Sequence, residues 1–150
     1  NKFETYIRYL LNMVTKIPKN YKPTAKEKYM CAKHKAFFRQ LLSKWKNDLI
    51  DQNNRIIFGN SDDNASSADI VDQATSYSGK TVEMRTVNRN KKLISKIDGS
   101  LKKIDEGTYG FCEETGEEIG LKRLIARPIA SLTVEAQEKH EKQEKIFADD

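Results

Sequence analysis

Residues 87–104 read VNRNKKLISKIDGSLKKI. Val87, Ile94 and Leu101 recur every seven residues, and Ile97 and Ile104 fill the second position of the same repeat. A seven-residue apolar repeat is the seam of a helix that packs lengthwise against another helix. Asn90 stands in that seam where an apolar residue is expected, and a polar residue there fixes register at some cost in stability. The helical pattern extends from about Val71 to Ile104. The stretch DEGTYG at 105–110 ends it, with Gly107 close to a C-cap position.

A partner for this seam lies upstream. Phe38, Leu41, Leu42, Trp45 and Leu49 fall at steps of three and four, and Ile56 continues the stripe. The polar stretch GNSDDNASSAD at 59–69 has the composition of a turn, so the pattern alone stops the first helix near Phe58. Two long amphipathic segments joined by a short polar connection make an antiparallel helical hairpin. At ~1.5 Å per residue, each arm of roughly 30 residues spans about 45 Å.

The remaining regions are shorter. PKNYKPTAKEK at 18–28 carries two prolines and reads as an extended linker. The residues before it suggest a short amphipathic helix ending before Pro18, and a poor signal peptide. Residues 107–150 hold a turn-rich segment and then a charged helix, with Ser131 as its candidate N-cap. The expected fold is therefore mostly α: a long antiparallel coiled-coil hairpin projecting from a small globular domain with a C-terminal helix. The expected divisions are 1–28 (extension and linker), 29–106 (hairpin, tip near 59–74) and 107–150 (globular domain and helix).

Composition agrees with a hairpin. Apolar residues make up 37% of the 150 and charged residues 33%, a thin core that disfavours a compact α/β enzyme. The net charge of +5 permits attraction to a polyanion without demonstrating it. Two distant cysteines, Cys31 and Cys112, make no disulfide framework and point to a reducing, cytoplasmic setting. No apolar run approaches the length of a membrane span.

Three motifs carry candidate chemistry. YGFCEETGEEIG at 109–120 opens like a zinc knuckle, but Thr115 stands where a second cysteine would sit. Downstream, Thr133 and Ala136 have the spacing of a second ligand pair and lack the ligands. One thiol cannot complete a closed zinc site, so no metal is expected. Tyr109, Phe111, Ile119, Leu121, Leu124 and Ile125 would then pack the turn, with Cys112 serving as a small apolar residue. The second motif is ADIVDQAT at 68–75. Its Asp69 and Asp72 suit a helix N-terminus as caps, or form an exposed acidic probe at the hairpin bend. The third is the basic set Arg85, Arg89, Lys91, Lys92, Lys96, Lys122, Arg123 and Arg127, mostly solvated helix faces. Arg123 and Arg127, four apart, have the spacing to hold a phosphate. No catalytic constellation is visible, and the chain does not read as an enzyme.

With these residues assembled, the sequence resembles the DksA/TraR family of bacterial RNA polymerase-binding transcription factors, from about Tyr29 to Lys145. YMCAKHKAFFRQLLSKWKNDL is similar to the start of the family's coiled coil. DIVDQA matches the tip pattern D-x-x-D-x-A, and NRNKKLISKIDGSLKKIDEGTYGFC and GEEIGLKRLIARPIASL match the returning helix and globular domain. The resemblance implies a regulator whose tip enters the polymerase secondary channel while its base meets the rim. Asp69, Asp72 and Ala74 would act at the tip. Arg89 would contact polymerase, and Lys96, Arg123 and Arg127 would face guanosine tetraphosphate, a co-regulator of ribosomal RNA promoters in the stringent response. Gln137 replaces a family lysine, which weakens the expected response to that alarmone. Three of the four family zinc cysteines are replaced, by Thr115, Thr133 and Ala136, so zinc is not expected and the fold is expected to stand without it. The family's first helix also continues past Gly59, beyond the pattern-based stop. An intramolecular hairpin favours a monomer, and the resemblance implies no sequence-specific DNA binding. Competing readings are a Gre-like transcript-cleavage factor, a direct nucleic-acid-binding protein and a structural coiled-coil adaptor.

Overall fold

The structure of the chain is a computed structural model that describes residues 17–59 and 70–148, with the side chains of 17–59 and 77–147. The helix expected before Pro18, the continuation of the first arm past Gly59, and Asp69 lie outside the described residues.

Among the described residues four helices follow one another: α1 (Ala32–Gly59), α2 (Ile70–Glu106), α3 (Leu121–Ala126) and α4 (Val134–Ala148). α1 and α2 are the two arms read from the heptads, and they are in extensive contact. The pattern-based limits Phe58 and Val71 both fall within the described helices. α2 ends where Gly107 permits it. Gly107 adopts φ +81°, its N–H reaches the carbonyl of Ile104, and the N–H of Thr108 reaches that of Lys103. These two bonds form a Schellman motif, which satisfies carbonyls the helix end leaves open.

The chain divides into two compact units. One takes in Leu42–Gly99, the other the residues up to Leu41 together with those from Ser100 onward. In the Leu42–Gly99 unit, Leu42, Leu49, Val87 and Ile97 are buried along the seam. Full burial of such a side chain contributes roughly 1.5–3 kcal/mol. Lys46 donates to Asp98 at 2.6 Å, and seven residues further along α1 Asn53 meets Asn90. The partner on α2 recedes as the residue on α1 advances, so the arms run antiparallel. The buried set also contains Asn53, for which the apolar pattern had no place.

In the other unit, Phe38 and Tyr109 are fully buried and in ring contact, with Ile104 and Leu124 beside them in the core. His34 extends the α1 stripe one turn further and is completely buried. Arg39 pairs with Asp105 at 2.7 Å on the exposed flank; such a pair is worth ~0.2–1 kcal/mol and does more for register than for stability.

Residues 18–28 are not an extended linker. They fold as successive turns, closed by bonds from Tyr21 N–H to Pro18 and from Glu27 N–H to Thr24. Pro23 is buried, Tyr21 sets its ring edge-on to Phe37, and Glu27 binds the ring of His34 at 3.2 Å. Prolines without an N–H read as linker in isolation, but the ring of Tyr21 and the carboxylate of Glu27 dock the segment onto α1. The N-cap of α4 also differs from expectation. It is Thr133, whose hydroxyl accepts from the N–H of Ala136, not Ser131. Ser131 instead gives its carbonyl to the N–H of Glu113.

Candidate functional site

Arg85, Arg89, Lys92 and Lys96 follow one another along α2 at steps of four, three and four. At 100° per residue this spacing gathers them within a ~60° arc, turned away from the seam. With Asn88 and Leu93 they line one shallow depression of about 380 Å³. The structure therefore brings Arg89 and Lys96 together and adds Arg85 and Lys92, which had been read as solvated face. The missed signal was the stripe itself.

Asp72 and Ala74 are the third and fifth residues of α2, within its first turns. Their side chains, like the whole of Asp69, lie outside the described residues.

Arg123 and Arg127 occupy α3 and the residue after it. The Nε–H of Arg123 donates to the carbonyl of Leu132 at 2.9 Å, so one edge of this half-buried guanidinium is spent on the fold. Arg127 caps α3 through its backbone N–H, bound to the carbonyl of Arg123, and its side chain is exposed.

The knuckle keeps its shape. Cys112 N–H bonds the Glu117 carbonyl, Ile119 N–H bonds that of Gly110, and Phe111 bridges Glu118 in antiparallel fashion. Cys112, Thr133 and Ala136 are all buried. The Thr133 hydroxyl donates to the Cys112 sulfur at 4.0 Å while accepting from Ala136 N–H, so a residue at a ligand position fastens the two halves and caps α4. Burial opposes ionisation of the Cys112 thiol. Hydrogen bonds from the Thr115 hydroxyl and from the backbone of Thr133, Thr115 and Glu114 outweigh it and bring its pKa down to about 7. Cys112 is buried as an apolar residue would be, and its sulfur also accepts the Thr133 hydroxyl. Of the residues expected to pack the turn, Tyr109, Ile119 and Leu124 are buried and Leu121 is half-buried, but Phe111 and Ile125 are exposed. An edge-on contact with Tyr29 holds Phe111 at the surface.

One thiol, two hydroxyls and a methyl group do not fit zinc, which takes four sulfur or nitrogen ligands in structural sites. Among the described residues no group of three or more His, Cys, Asp or Glu side chains is placed to hold a metal ion.

Tyr29 and Met30 also matter to this region, although no period or spacing marked them. The Tyr29 hydroxyl donates to the Gly110 carbonyl at 2.6 Å and accepts from Gly120 N–H at 3.1 Å. Met30, at φ +50°, lays its side chain directly on Gly110. The Tyr109 hydroxyl donates to the Pro128 carbonyl at 2.6 Å, and burial raises the pKa of that phenol.

Two families match the chain in sequence. Residues 34–104 match "DnaK suppressor protein DksA, N-terminal domain", and residues 107–142 match "Prokaryotic dksA/traR C4-type zinc finger". The RNA polymerase-binding transcription factor DksA of Caulobacter vibrioides is 41% identical over 131 residues, which cover 87% of this chain and 92% of that protein. The protein of the same name from Escherichia coli K12 is 38% identical over 122 residues, 81% of each. The solved structure of transcription factor DksA2 from Pseudomonas aeruginosa superposes with a TM-score of 0.73 at 34% identity, covering 93% of this chain and 98% of that one. Heptad hairpin, knuckle frame and sequence agree along nearly the whole length: the chain belongs to the DksA/TraR family.

Proposed function

We propose that this protein is a non-enzymatic, cytoplasmic regulator of transcription that binds RNA polymerase directly. The observation that carries the reading is its 41% identity to an RNA polymerase-binding transcription factor over 131 residues, 87% of its length. The hairpin (29–106) enters the secondary channel, and Asp69, Asp72 and Ala74 at its tip perturb the active-site region electrostatically. Arg89 contacts polymerase, and the 107–150 domain meets the channel rim. Guanosine tetraphosphate is the co-regulator, facing Lys96, Arg123 and Arg127. Its contribution is reduced by Gln137, which bonds Glu141 along the face of α4 instead of presenting a charge. The factor works as a monomer, reads no promoter sequence and changes promoter-complex stability, lowering ribosomal RNA transcription.

In vitro transcription from a ribosomal RNA promoter, with and without guanosine tetraphosphate, tests this reading. Inhibition by the wild type is expected, and so is loss of inhibition in Asp72→Asn with polymerase binding retained. Strong shortening of transcripts in stalled complexes would instead make it a cleavage factor.

A further inference from the structure

Residues 75–82 of α2 read TSYSGKTV. Gly is the weakest helix former after Pro, and Thr, Ser, Tyr and Val also rank low, which leaves Lys80 as the one strong helix former in this run. Conformation does not call for Gly79: it is helical, unlike Gly107, Gly110, Gly116 and Gly120, which sit at positive φ. Space does not call for it either, because a Cβ at this position meets no atom within 4 Å. Packing offers no compensation. Among the described side chains of α2 the buried ones begin at Val87, while residues 77–80, Val82 and Met84 are exposed. On α1 no described residue after Asn53 is buried. The Thr81 hydroxyl donates to the Tyr77 carbonyl at 3.0 Å, across Ser78 and Gly79, and the Thr86 hydroxyl donates to the Val82 carbonyl at 3.1 Å. Such bonds draw on carbonyls of the helical ladder and bend helices, and Gly/Ser pairs are among the few sites at which helices kink.

We infer that Ser78–Gly79 is a hinge in α2, at which the end of the helix that carries Asp72 and Ala74 swings against the rest of the arm. This rests on the proposed function and adds to it how the tip residues reach their place in the polymerase. Asp72 lies seven residues before Gly79, ~10 Å along the helix. A tilt of ~20°, the scale of a helix kink, carries its backbone about 4 Å sideways. A straight rod fixes its tip wherever its base docks. A hinge close to the tip separates docking from the final adjustment of the acidic end. Gly99 is the contrast within the same helix. It is also helical with open space at its Cβ, but Ile97 and Ser100 beside it are buried and Asp98 pairs with Lys46. Burial therefore holds α2 at Gly99 and does not hold it at Gly79.

The test reads amide hydrogen exchange along α2 of the full chain by NMR, for wild type, Gly79→Ala and the control Gly99→Ala. In wild type, amides 79–83 are expected to form a minimum of protection, about tenfold or more below amides 87–97 and also below amides 75–78 on the tip side. Gly79→Ala should raise protection at that minimum roughly fivefold, the difference in helix propensity between the two residues. Gly99→Ala should leave the minimum unchanged. With RNA polymerase holoenzyme at a ribosomal RNA promoter, Gly79→Ala should bind with wild-type affinity and inhibit roughly threefold less or weaker still. Gly99→Ala should match wild type in both. Protection that falls steadily from Val87 to Ile70 makes the end of α2 a frayed one and overturns the hinge, as does an unchanged minimum in Gly79→Ala. Raised protection with full inhibition in Gly79→Ala overturns the swing of the tip as part of regulation and leaves the proposed function standing. If wild type fails to bind polymerase, the proposed function falls and the use of the hinge falls with it, while the exchange profile still decides the hinge itself.

Discussion

Asn90 on α2 donates its side-chain amide to the carbonyl oxygen of Asn53 on α1 at 2.9 Å, both residues buried in the hairpin seam. A second bond from the same nitrogen reaches Gln52 at 3.1 Å. A buried amide is tolerated only when partnered. The Asn–Asn contact therefore aligns α1 and α2 at one register, because sliding either helix would bury both amides against apolar groups.

Asn90→Ala is accordingly expected to destabilise the fold by ~1–3 kcal/mol, since it strands the Asn53 amide. Replacing both partners, as Asn53→Leu/Asn90→Leu, should be near neutral or stabilising in urea unfolding while leaving register less well specified. A double variant as unstable as Asn90→Ala would show that the pair contributes more than mutual satisfaction.

Gly110→Ala meets two obstacles. Its backbone sits at φ +90°, and an added Cβ would lie 2.9 Å from Met30 Cγ. Left-handed strain alone costs about 1–2 kcal/mol, so a fall in Tm of several degrees is expected. Met30→Ala in the same chain removes the collision but not the strain, and rescue should therefore be partial. Full rescue would mean that sterics account for the whole effect.

Cys112 makes stability depend on pH above neutrality. Its folded pKa, about 7, lies below the ordinary thiol value, so its contribution is fully present above the unfolded pKa and is lost as pH falls through about 7. Wild type should gain stability between about pH 7 and pH 9 by chemical denaturation, and Cys112→Ala should be flat by comparison. Parallel profiles for the two proteins would exclude a thiolate held in this cradle.

Zinc removal should leave the fold intact. Dialysis against a chelator is expected to leave Tm unchanged, with metal analysis finding far less than one zinc per chain. Thr133→Ala, by contrast, removes the N-cap of α4 and the hydroxyl on Cys112 at once, and should cost ~1–2 kcal/mol. A protein that unfolds in chelator would reinstate the metal.

What the sequence determined by itself was whatever repeats or terminates locally. The two arms were legible because Phe38, Leu42 and Leu49, and Val87, Ile97 and Ile104, recur at helical periods, and because Gly107 supplies a left-handed stop. The knuckle frame and its missing ligands were legible as ligand arithmetic at Cys112, Thr115, Thr133 and Ala136. Asp72 and Arg89 were visible as charged residues, and their polymerase roles came only through resemblance. Only the tertiary structure decided contacts between segments far apart in the chain. Asn53 as Asn90's partner, His34 in the core beside Glu27, Tyr29 spanning Gly110 and Gly120, and Thr133 serving two bonds are such contacts. Periodicity is a property of one helix, whereas the pairing of a polar group is set by the group that meets it in space.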